Sequence, residues 1–202
     1  MKHISTRTVF EYWDRRRANR RAPDRGDIDP AAIRRALGDT FMLAADFADQ
    51  LRFRLAGTRV CALFGRELKG EVFTALWDTA SNQAIEELLT IVTGEAAGAV
   101  AGLTGRTEEG AGTEIEMLLL PLAHDRRACI RALGVLVPMV SPYWLGTTPV
   151  TALELVGLRY IGPQVNSRSV PRLGRAAEAS RWHHGFKVYS GGLETPPGER
   201  TD

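Results

Sequence analysis

Leu51, Phe53 and Leu55 alternate with Arg52 and Arg54, and the alternation stops at Gly57, after which a short apolar segment runs from Thr58 to Phe64. A two-residue period giving way to a helical one across a single glycine predicts a strand over 51–56 and a short helix over 58–64. Phe41 to Phe47 predicts a second strand, paired antiparallel with the first through a turn around Asp49-Gln50. Further upstream, Val9, Phe10 and Trp13 form the apolar edge of a helix over 9–19, whose far end carries Arg15, Arg16, Arg17 and Arg20. Asp29 before Pro30 reads as an N-cap followed by the first residue of a short helix containing Ala32, Ile33, Ala36 and Leu37. Downstream, Ile85, Leu88, Leu89 and Val92 make one stripe of a helix over 81–93, with Glu86, Glu87 and Thr90 opposite and Gly94 as its stop. Three strands follow, over 97–104, 113–121 and 129–140, connected at 108–110 and 124–127.

Helices, two strands, helices and then three strands predict an α+β fold: a five-stranded antiparallel sheet with the central helices on one face. Ile115, Met117 and Leu119 share one side of their strand, yet Leu118 and Leu120 occupy the other, and Leu133, Val135 and Val137 repeat this in the next strand. A sheet solvated on one face should alternate cleanly, so both faces are covered. The helix over 9–19 is the nearest cover, from its own chain or from a second copy. Past Leu158, Pro163, Pro171, Pro196 and Pro197 interrupt a stretch rich in Arg, Ser and Gly. This predicts an N-terminal helical extension (1–38), a central domain (39–158) and a basic, largely disordered tail (159–202). Within the tail, Trp182 to Tyr189 is an aromatic, alternating island, either a short strand or a docking peptide.

Several short motifs recur together: Tyr12-Trp13, Ile28-Asp29-Pro30, Ala56-Gly57-Thr58, Leu63-Phe64-Gly65-Arg66-Glu67-Leu68, Gly70, and Pro142-Tyr143-Trp144-Leu145-Gly146. Over residues 8–160 they resemble the PAS domain family, in particular its compact single-PAS proteins of alphaproteobacteria (PAS_5-like). The resemblance implies a sensor or interaction module with a PAS-like sheet, and pairing of two copies, which is common in that family. In the flavin-binding members a reactive cysteine follows the Leu-Phe-Gly motif, and here Phe73 stands at that place. Haem-binding members commonly ligate iron from a histidine on the helix that corresponds to 81–93, and that helix contains none. No cofactor is therefore expected.

Composition adds bounds. The chain has 202 residues, 44% of them hydrophobic, enough for a core. Its longest apolar run, Met117 to Ala123, is too short to span a membrane, and no secretory signal opens the chain, so a cytoplasmic protein is expected. Cys61 and Cys129 are too few for a disulfide scaffold and read as buried thiols. The net charge of +2 divides into +5 over 1–25, −6 over 26–158 and +3 over 159–202. Basic arms on an acidic body could engage nucleic acid. Without a helix-turn-helix or an RNA-binding aromatic motif, that reading stays the alternative, and a nucleic-acid partner is not expected.

Catalytic and metal signatures are missing. There is no phosphate loop, no Gly-x-Ser-x-Gly elbow and no His-Glu-x-x-His pair. Neighbouring His183 and His184 point to opposite faces of an extended segment and cannot easily share an ion. His124 reads as a solvated loop residue, and Glu114 and Glu116 as carboxylates on an exposed face. The expected function is non-catalytic: a sensory or regulatory protein acting in signal transduction through a small molecule, a signalling protein partner, or both. Phe53, Leu55, Leu63, Phe64, Phe73, Trp77, Ile115, Met117 and Leu119 would line the core or a ligand cavity. Phe10, Trp13, Leu118, Leu120, Leu133, Val135 and Val137 would form the interface of a homodimer.

Overall fold

The computed structural model describes residues 1–124, 128–161, 181–183 and 186–188. Strand β1 (Thr40–Ala45) and strand β2 (Leu51–Ala56) form the predicted hairpin. Its turn is held by Asp46, whose carboxylate accepts from the amides of Ala48 and Gln50 at 2.8 and 3.0 Å. Helix α2 (Thr58–Phe64) ends at Gly65, whose φ of 63° is the left-handed conformation that favours glycine at a helix C-terminus. A 3₁₀ turn (Phe73–Leu76) and helix α3 (Asn82–Gly94) follow. The chain then runs through β3 (Gly98–Arg106), β4 (Gly112–His124), β5 (Ala128–Pro138) and β6 (Ala152–Ile161).

The sheet order is β2-β1-β5-β4-β3-β6, antiparallel throughout, with six strands where five were expected. The added strand, β6, pairs with β3 across a bulge: Gly102 faces Gly157 but Leu103 faces Leu155, leaving Val156 unpaired and exposed. One inserted residue inverts the side-chain alternation, which hides β6 from a period-two reading. The boundary drawn between 158 and 159 falls inside this strand, and that between 38 and 39 falls inside a 3₁₀ turn (Leu37–Asp39). The Trp182–Tyr189 island contains two short strands, β7 (Arg181–His183) and β8 (Phe186–Val188), paired antiparallel. The rest of the tail, and with it the expectation of disorder, lies outside the described residues.

Two cores flank the sheet. On the inner face, α2, the Phe73–Leu76 turn and α3 cover β1–β6, and Ile85, Leu88, Leu89 and Val92 all point inward as the α3 stripe requires. On the outer face lies helix α1 (Ile4–Arg17), which begins before Val9 because His3 Nδ1 accepts from Ser5 N and caps it. It stops at Ala18, which has a φ of 51°. Past that point the Arg20 guanidinium donates to the Arg16 and Arg17 carbonyls. Asp29 does cap the residues after it, its Oδ1 accepting from Ala31 N at 2.9 Å, but Pro30–Ile33 is a 3₁₀ turn, not an α-helix.

Candidate functional site

Eight of the nine expected lining residues, Phe53, Leu63, Phe64, Phe73, Trp77, Ile115, Met117 and Leu119, meet in the inner core and are buried. At its centre is an aromatic chain: Phe41 to Phe53 at 5.4 Å, both to Phe73 at 5.7 Å, and Phe73 edge-on to Trp77 at 5.7 Å. These spacings suit favourable quadrupole contacts between rings. Phe73 is thus the middle of this chain. Phe41 was not among the expected residues; its signal was Gly134, its partner across the β1–β5 pairing. A Cβ at Gly134 would run into the far end of the Phe41 ring, so the ring occupies the space that a side chain at 134 would need.

The ninth residue is a correction. Leu55 is 53% exposed and does not reach the inner core. Met42 faces Leu55 while Leu43 faces Phe53, so Arg54 is the extra residue of a bulge, and Leu55 turns to the outer face.

Among the described residues four buried side-chain polar atoms have no hydrogen-bond partner, Thr6 Oγ1, Asp24 Oδ1, Trp77 Nε1 and Asn82 Oδ1, and of these Trp77 belongs to the inner core. Trp77 Nε1 is buried and makes no hydrogen bond among the described residues. Such an unmet donor costs about 1–3 kcal/mol, and an acceptor atom held beside it would recover that. Cys61, on α2, is buried, and burial pushes its thiol up from the ordinary range, which keeps it protonated and unreactive. Cys129 lies where side chains are not described.

The expected dimer interface is a second correction. Trp13, Leu118, Leu120, Leu133, Val135 and Val137 are buried within the single chain, packed with Val9 and Tyr12 of α1, and Phe10 is partly buried against them. Trp13 Nε1 also donates to Pro121 O at 2.8 Å, tying α1 to β4. The helix covers its own sheet, so these residues are a core and not a surface open to a second copy.

Glu116 is a third. It is buried, not solvated, because the segment before α1 lies over it: Glu116 accepts from Lys2 N at 2.6 Å and His3 N at 3.0 Å. Burial raises its pKa, but these two amides, together with the nearby Thr6 and the N-terminal ammonium, outweigh it and hold the carboxyl below its usual value. A related carboxylate, Asp39, is buried where α1, β1 and α2 converge. It accepts from Ser5 Oγ at 2.6 Å and from Arg59 Nε and Nη2 at 2.5 and 2.8 Å. Burial again pushes it up, and the Arg59 guanidinium and Ser5 hydroxyl bring it below the ordinary carboxylate range.

Much of the N-terminal positive charge is engaged. Arg17 pairs with Asp14 and lies over the Trp13 ring, Arg16 lies over Tyr12, and Arg20 pairs with Asp24 and Asp27. Among the described residues there is no group of three or more His, Cys, Asp or Glu arranged to hold a metal, and no helix long and apolar enough to cross a membrane. The His183 side chain and all of His184 lie outside what is described.

A family model for the PAS domain (PAS_5) matches residues 1–137, and thus includes α1 as well as the sheet. No curated protein matches the chain. Among solved structures, it is similar to a light-oxygen-voltage domain studied with a flavin analogue, at 14% identity and a TM-score of 0.45, over 58% of this chain and 87% of that one. It is similar to a light-oxygen-voltage protein of Rhodobacter sphaeroides, at 13% identity and a TM-score of 0.43, over 57% and 71%. A PAS domain from Colwellia psychrerythraea matches at 15% identity and a TM-score of 0.41, over 55% and 98%. Likeness this distant contributes nothing on ligand or activity. The family match spans more than half of the chain, α1 and most of the sheet together: this chain belongs to the PAS domain family.

Proposed function

We propose that this PAS protein is a cytoplasmic sensor in signal transduction that catalyses no reaction. In this reading it holds a small molecule against the inner face of the sheet and passes the bound state to a protein partner. The observation that carries it is the Trp77 indole N–H, buried without an acceptor among the described residues at the end of the Phe41–Phe53–Phe73 chain of rings. Membership of the PAS family supports the sensory role, and the ligand would be a flat or apolar molecule bearing one acceptor atom. Gentle-ionisation mass spectrometry of the natively purified protein tests this. Wild type should release a retained small molecule on unfolding, and Trp77→Phe, which keeps the ring and removes the donor, should retain much less. An empty wild type, or equal retention by the variant, removes ligand sensing and leaves protein interaction alone. Self-association belongs to this reading on a surface other than the outer core. Sedimentation as a dimer at micromolar concentration supports it, and a monomer removes it.

A further inference from the structure

A cavity of about 370 Å³ lies on the opposite face of the sheet from the aromatic chain. From the sheet, Met42 of β1, Leu55 of β2 and Leu133 of β5 line it, with Thr40 and Ala56 beside them. Facing them is the segment that joins α1 to β1, with Ile28, Ile33 and Arg25. The bulge at Arg54 that removes Leu55 from the inner core is what delivers it here, leaving a large apolar side chain half open to the cavity. The volume falls in the range of small-molecule sites, and so does the chemistry, predominantly apolar with a single charge.

That charge has no counter-ion. Arg25 is exposed and forms no ion pair among the described residues, and no carboxylate lines the cavity. Its nearest acidic neighbours in the chain, Asp24 and Asp27, each pair with Arg20 through one carboxylate oxygen, at 3.2 and 2.7 Å, and neither lines the cavity. A guanidinium is the natural partner of a carboxylate, which it binds through two parallel N–H donors.

We propose that this cavity binds a small amphiphilic carboxylate, its apolar chain against Met42, Leu55 and Leu133 and its head group on Arg25. A chain of ~8–10 carbons suits a site of this size. The site is separate from the inner-face ligand proposed above and stands or falls without it. Its occupant would bridge the α1–β1 segment to the sheet edge, beside the Asp39–Arg59 pair that ties α1 to α2.

Decanoate titrated into the full chain by calorimetry tests the proposal, with decylamine as the cationic control. Wild type should bind decanoate saturably at one site and decylamine more weakly. Arg25→Gln should weaken decanoate binding about fivefold and Leu55→Glu at least about tenfold, both effects large enough to read from the isotherm. Both residues are exposed, so both variants should fold, which circular dichroism verifies. Trp77→Phe should bind decanoate as wild type does. No saturation by millimolar decanoate, or wild-type affinity in both Arg25→Gln and Leu55→Glu, overturns the site. Equal affinity for decylamine overturns the carboxylate assignment. Loss of binding in Trp77→Phe alone would move decanoate to the inner face and so separate the fate of this proposal from that of the sensor reading.

Discussion

Gly134 and Phe41 show how one residue without a side chain can set a core. The Phe41 ring occupies the space above the Gly134 backbone, and from there it reaches Phe53 and Phe73. Any Cβ at 134 must displace the ring and with it the whole aromatic chain. Gly134→Ala should therefore lower unfolding stability by about 1–3 kcal/mol, the usual cost of forcing atoms into a packed interior. Urea unfolding measures this, and a neutral result would mean the rings can shift freely. Cys61 gives a second expectation at this scale. Its thiol is buried and raised, so in a Cys129→Ser background it should react with an aromatic disulfide reagent at pH 8 far more slowly than the unfolded chain does. A rate matching that of the unfolded protein would place the sulfur in solvent.

Among the elements, α1 carries the outer core. Apolar residues on both sides of β4 and β5 showed that something covers the outer face, and Val9, Phe10 and Trp13 showed what could. Pattern alone cannot say whether the cover belongs to the same chain, because a helix packs identically on its own sheet and on a neighbour's. Trp13, wholly buried and bonded to Pro121 O, now predicts a stability effect. Trp13→Ala should cost about 3–5 kcal/mol of unfolding free energy with no change in the sedimentation of the folded fraction. Halving of the sedimenting mass without loss of stability would restore the intersubunit role. Most of the secondary structure was legible in the same way: β2 and α2 match their predicted spans, and the α3 stripe is buried as its period demands. What escaped were features that break a period. The bulges at Arg54 and Val156 each insert one residue, sending Leu55 to the outer face and concealing β6. Glu116 escaped for another reason, since its partners are backbone amides more than a hundred residues away in sequence, invisible to any local pattern.

In the molecule as a whole, two cores share one sheet, and the contacts that lock them together are charged. Asp39 joins Ser5 of α1 to Arg59 of α2, while Glu116 of β4 gathers the amides that lead into α1. Both carboxyls sit below their ordinary values of 3.8 and 4.5 in the folded protein. A carboxyl depressed by folding stabilises the native state wherever it would be ionised in the unfolded chain too. That contribution is complete above the unfolded pKa and disappears as pH falls through the folded one. Stability should accordingly be flat from neutral pH down to about 5 and then fall steeply through the carboxylate range. Asp39→Asn keeps the shape but cannot carry the charge that Arg59 binds, so it should be less stable than wild type at pH 7. It should also lose less on acidification, the two curves converging once Asp39 of the folded wild type is protonated. Urea midpoints measured from pH 7 to pH 2 decide the matter. Parallel curves for wild type and Asp39→Asn would show that acid acts at groups other than Asp39, and that the Asp39–Arg59 pair does not lock α1 to the sheet.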